Sequence, residues 1–125
     1  MKYSFIIALA IVFTSCSEGI KRKPKPKDLI PRNHMVSTMS ELIKLESYIQ
    51  GKYPSVAQYH HVMINSGDSL LKTFKLTKDQ FEASLEYYGS HQDVMKGIYD
   101  EILDGFNKEL GQLNTEIKEN KLNTK

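Results

Sequence analysis

The chain has no tryptophan, one cysteine and four prolines in 125 residues. A lone cysteine excludes an intrachain disulfide framework, so an oxidising compartment has to be argued from other features. The apolar run from Phe5 to Phe13 is about the length of a secretory leader core and too short to cross a bilayer. No run of alternating β-branched residues between turn signals suggests a sheet. Phosphate-cradling glycine loops and a Gly-x-Ser-x-Gly elbow are also missing. The length suits one small domain and excludes a multi-domain enzyme.

The net charge is only +2, but it is unevenly spread. Residues 17–32 carry six cations against two acids, a net +4, and residues 33–125 carry ten against thirteen, a net −3. A basic strap therefore precedes a mildly acidic domain, which argues against nucleic-acid binding by that domain.

Met1-Lys2-Tyr3-Ser4 is a short positive lead to the apolar run, and Thr14-Ser15 place small residues before Cys16. The segment resembles the lipobox of bacterial lipoproteins. That resemblance implies a signal peptide over residues 1–15, cut before Cys16, with the sulfur and the new amine both acylated. The alternative is an ordinary signal peptide with an incidental cysteine. Several acyl chains are what durable anchoring needs, at about 0.8 kcal/mol per buried methylene. Residues 16–32 then form a lipidated cysteine and a basic, proline-rich linker. The linker from Ser17 to Arg32 contains Lys23-Pro24-Lys25-Pro26-Lys27 and favours extended backbone. As a spacer, it reaches roughly 50 Å at about 3.1 Å per residue. Its cations resting on anionic headgroups is the second reading.

The expected fold is all-α: a small bundle of about four helices over residues 33–118, after the extended strap and before a polar, frayed tail over 119–125. Met35, Val36, Met39, Leu42, Ile43 and Ile49 recur at helical spacing, with Asn33 as the expected N-cap and Gly51 and Pro54 as stop signals. From Ala57 to Phe74 the pattern fits one kinked helix or two, because Ser66-Gly67-Asp68 interrupts it. Thr77-x-x-Gln80 is a capping-box pattern that opens a third helix, with Gly89 as its close. Ser90-x-x-Asp93 opens the last and longest, whose stripe runs through Met95, Ile98, Ile102, Phe106, Leu110, Leu113 and Ile117. So small a core makes an exposed apolar groove a reasonable expectation.

Candidate chemistry is sparse. His34, His60, His61 and His91 include no His-x-x-x-His pair, and adjacent His60 and His61 point to different helix faces, so no metal or cofactor is expected. Nucleophilic catalysis lacks an activated serine, since Ser66-Gly67-Asp68-Ser69 reads as a turn and cap. Asp93, Asp100, Glu101, Asp104 and Glu109 alternate with Lys96 and Lys108, as on a solvated helix face. Tyr87-Tyr88 is the most distinctive cluster: Tyr88 shares the face of Phe81 and Leu85, and Tyr87 projects elsewhere, either packing or meeting a partner.

Pro26-Lys27-Asp28-Leu29-Ile30-Pro31 before Met35-Val36, and Phe81-Glu82-Ala83-Ser84-Leu85-Glu86-Tyr87-Tyr88 before a short turn and long helix, resemble the domain-of-unknown-function 4296 family of lipoproteins in Bacteroidota-type bacteria. The resemblance spans Pro26 to Leu110. It implies a helical, lipid-anchored envelope protein and brings no catalytic residues. The residues after Cys16 are mostly non-acidic, which in such bacteria favours a periplasm-facing domain on the outer membrane. The expected function is a non-enzymatic interaction subunit of a secretion, assembly or motility complex, with another envelope protein as partner. A chaperone-like peptide-binding lipoprotein, suggested by the five methionines, is the alternative. An enzyme acting on envelope lipids or glycans is a minor third.

Overall fold

A computed structural model describes Gly19 and residues 21–123. The leader, the lipobox and Cys16 lie outside the described residues. Four helices follow a strap without regular structure: α1 (Arg32–Lys52), α2 (Val56–Thr73), α3 (Lys78–Ser90) and α4 (Gln92–Asn123). α1 packs on α2 as a hairpin and crosses α4, and α3 packs on α4. The expected all-α bundle of four helices is what forms, and there is no strand among the described residues.

The core is drawn from the strap and from all four helices: Ile30, Met35, Met39, Leu71, Leu76, Tyr88, Ile98 and Ile102. Ile30 is the notable member, because it lies in the segment read from sequence as a spacer. Its side chain is fully buried. Its N–H donates to Ser84 Oγ at 3.0 Å, and its carbonyl accepts from the Tyr88 hydroxyl at 2.7 Å. Elsewhere along the strap, the Lys23 N–H donates to Ser90 Oγ at 2.8 Å and Gln80 Nε2 donates to the Asp28 carbonyl at 3.0 Å. An extended backbone cannot satisfy its own polar groups once buried, and the polar side chains of α3 do so for it. The strap from Lys23 onward is thus a docked part of the fold and not free linker.

Several helix ends differ from their sequence-based expectation, each for a local reason. α1 begins at Arg32 because the Pro31 carbonyl already accepts the Met35 N–H, at 2.8 Å, so Asn33 lies inside the helix and does not cap it. Gly51 is helical and no glycine has positive φ among the described residues. The stop comes from Pro54, which forces Tyr53 into extended backbone at φ −120°. α2 runs unbroken through Ser66-Gly67-Asp68, with Ser69 Oγ donating to the Asn65 carbonyl. One glycine costs a helix only about 1 kcal/mol, too little to break it against packing on α1. Gly89 does not end α3, which continues to Ser90. Ser90 does not open α4 either, since its hydroxyl donates to the Tyr87 carbonyl while accepting from Lys23. Half of the capping box forms: Thr77 Oγ1 accepts the Gln80 N–H at 3.1 Å, but the Gln80 side chain serves the strap.

The end of α2 is a Schellman turn. Leu76 N–H reaches the Leu71 carbonyl and Lys75 N–H the Lys72 carbonyl, both at 2.9 Å, and Leu71 and Leu76 meet in the core. The left-handed position is Lys75, at φ 57°. Glycine adopts that conformation without the steric penalty of a Cβ. Lys75→Gly is therefore expected to raise stability by about 0.5–1 kcal/mol, read as a higher urea midpoint at unchanged slope.

Burial raises the Tyr88 hydroxyl pKa above its ordinary value of 10.0, with Tyr87 adding to the effect. The fold thus favours the neutral phenol, and this contribution is complete below the unfolded value of about 10 and lost as pH rises through the higher folded value. Tyr88→Phe removes the bond to Ile30 and is expected to cost about 1–3 kcal/mol near neutral pH. Urea titrations above pH 10 should show the parent losing this advantage over Tyr88→Phe; a constant difference at all pH values would contradict the coupling.

Candidate interaction surface

α4 is 32 residues long, about 48 Å at 1.5 Å per residue. Its first half serves the core through Val94, Met95, Ile98, Ile102 and Phe106. Past Phe106, every side chain from Asn107 to Lys121 is exposed. The helix persists to Asn123, beyond the expected end near residue 118. Sequence periodicity joins Leu110, Leu113 and Ile117 to the core stripe, and the structure separates them from it. They are 58%, 53% and 51% exposed, whereas Ile98 and Ile102 are buried. Tyr99 and Leu103, at 45% and 57%, extend the exposed line toward the start of the helix. α4 therefore carries two apolar faces, one filled by the fold and one uncovered by it. The bundle is too short to flank the second half of so long a helix.

Beside the uncovered face lies an open apolar groove, with Ile43 and Ser47 of α1 on one wall and Phe106, Leu110 and Leu113 of α4 on the other. Lys44 closes its rim. The ammonium contacts Glu109 at 2.7 Å and Glu41 at 3.1 Å, and lies 5.6 Å from the centre of the Phe106 ring. Hydrogen bonds to Glu109 and then Glu41 raise the Lys44 pKa above its ordinary value. A cation so held keeps its charge over the whole neutral range.

The residues singled out from sequence are dispersed. Cys16 lies outside the described residues. Tyr87 is half-buried: its ring meets Tyr88 edge-on at 5.4 Å and tilts against His91 at 4.3 Å. His91 Nδ1 donates to the Tyr87 carbonyl at 2.8 Å, fixing its tautomer, since a carbonyl only accepts. His34 lies against Phe74, and His60 and His61 are exposed on α2. Among the described residues no three metal-ligating side chains converge. The α4 carboxylates engage cations one by one: Asp100 with Lys96 at 2.6 Å, Glu101 with Arg32, and Glu109 with Lys44. A Cβ at Gly97 would stand 2.7 Å from the Arg32 guanidinium, so a side chain there would make the guanidinium shift.

The uncovered stripe was legible in principle. Tyr99, Leu103, Phe106, Leu110, Leu113 and Ile117 are spaced by four, three, four, three and four, a repeat distinct from the core pattern. Because the stripe lies outside the core, Leu113→Gln should leave the urea midpoint of the dilute, monomeric chain nearly unchanged, within about 0.5 kcal/mol. Ile102→Ala on the neighbouring face should cost about 2–4 kcal/mol by the same measurement.

No helix among the described residues is long and apolar enough to cross a membrane. Neither a curated protein nor a solved structure matches the chain. Residues 26–112 match the family described as Domain of unknown function (DUF4296), a span that opens in the docked strap and closes within the exposed stripe. Since the match covers most of the chain and its whole core, the protein belongs to that family.

Proposed function

We propose that the protein is an outer-membrane lipoprotein of Bacteroidota-type bacteria, facing the periplasm. It acts there without catalysis as an interaction subunit of an envelope complex for secretion, assembly or motility. The observation that carries the interaction role is the uncovered apolar face of α4 with its groove against α1. Contiguous exposed apolar surface rimmed by charge is the usual mark of a protein contact. The anchor rests on the apolar leader and the single Cys16.

Docking of the strap changes how such an anchor would work. Because Lys23 is docked, at most the residues between Cys16 and Lys23 separate the anchor from the fold, a reach of no more than roughly 22 Å. The domain is then held close to the lipid surface. Tyr87 stays a candidate partner contact through its exposed edge. Of the methionines that suggested a chaperone-like reading, Met35 and Met39 are buried, and Met63 and Met95 half-buried. Among the described residues the methionines therefore lend that alternative little support.

In the native host, Cys16→Ser should abolish acyl labelling and release the domain from the membrane fraction; unchanged retention would refute the anchor. Affinity purification from detergent-solubilised envelope should recover a second envelope protein in fixed stoichiometry with the parent. Repeated recovery of this chain without another protein would sink the subunit role.

A further inference from the structure

We infer that the projecting half of α4 pairs in parallel with the same helix of a second copy of this chain. The inference rests on the reading of the α4 face as an interaction surface and names what covers it. Steps of four and three from Tyr99 to Ile117 are the a/d repeat of a left-handed coiled coil. Leu103, Leu110 and Ile117 take the a positions, and Tyr99, Phe106 and Leu113 the d positions. A helix serving only its own bundle has no use for this seam, and here the bundle leaves it uncovered: all but Phe106 are between 45% and 58% exposed. The core residues Ile98 and Ile102 lie on the adjoining face, about a quarter-turn away, so a second helix along the seam would not displace α1.

Charges flanking the seam select both the partner and its direction. Glu109 and Glu116 occupy g positions, and Asn114 and Lys121 occupy e positions. In a parallel pair a g residue faces the e residue of the following heptad. Glu109 is already held by Lys44 of its own copy, and Glu116 faces the partner's Lys121, with two-fold symmetry repeating the contact. In an antiparallel pair g faces g, so Glu116 no longer meets Lys121 and the pair is lost. The rim therefore complements a copy of itself in one direction only. Ile43 and Ser47 of α1 widen the floor on which the second helix lies.

The test uses the full-length chain with Cys16→Ser, which removes the single native thiol, purified in mild detergent and measured by sedimentation equilibrium with the detergent density-matched. The expected species is a dimer. Leu110→Lys on the exposed seam should weaken association at least about tenfold with unchanged helical circular dichroism. Glu116→Lys should also weaken it, and adding Lys121→Glu should restore it. Ile117→Cys should form a disulfide-linked dimer on mild oxidation, because only the parallel register brings this position against itself. A monomeric parent, a dimer indifferent to Leu110→Lys, or failure of Ile117→Cys to cross-link would each overturn the proposal. If a monomeric chain still binds a different envelope protein through Leu110, the dimer falls and the interaction surface stands; a monomer that binds nothing overturns both.

Discussion

Ile30 is held at three points: its N–H by Ser84, its carbonyl by the Tyr88 hydroxyl, and its side chain by the centre of the core. The rest of the bundle depends on this capture. α1 starts two residues later, so fixing Ile30 fixes where Arg32 begins its helix and how Met35 and Met39 enter the core. Ser84 and Tyr88 are four apart on α3 and thus stacked on one face, which lets a single helix address both polar groups of one extended residue. Every buried side-chain polar atom among the described residues has a partner, and Ser84 and Tyr88 have theirs in the strap.

The same clamp explains the polar residues around it. Gln80 forgoes the second half of a capping box to bind the Asp28 carbonyl, and Ser90 forgoes capping α4 to accept from Lys23. Four positions along α3, Gln80, Ser84, Tyr88 and Ser90, thereby hold a strand-like segment that pairs with no strand among the described residues. Lys23 adds an ion pair with Glu86 at 3.3 Å, exposed on both sides and of small energetic weight. A pull on the strap from its amino-terminal side would meet Ser90 first and Ile30 last, so a load there reaches the core through α3.

α4 shows the opposite economy. The strap is short of partners of its own and finds them in the fold, whereas α4 outgrows the fold and leaves an apolar face without one. A small domain buries a modest share of its surface, and a helix of 32 residues cannot be flanked along its length by helices of 13 to 21. Sequence periodicity registers both α4 faces, offset by about one residue position, but does not say which of them the fold covers. Only the position of α1 decides which is covered.

Apolar spacing alone determined that the described residues are all-α, with about four helices, because a period near 3.6 fits no strand, and it left open whether Ala57 to Phe74 forms one helix or two. Proline placement determined that the strap is extended and that α1 stops before Pro54, since proline restricts its own backbone and that of its predecessor. Tertiary structure decided what local signals leave open: that Gly51 and Gly89 are helical, that Ser66-Gly67-Asp68 does not break α2, and that Lys75 takes the left-handed turn. It also decided the two features that bear on function, the docking of the strap and the uncovered stripe of α4. Both depend on which long-range neighbour reaches a residue, and Ile30 meets Ser84 across 54 positions of chain. No window of local sequence contains that contact.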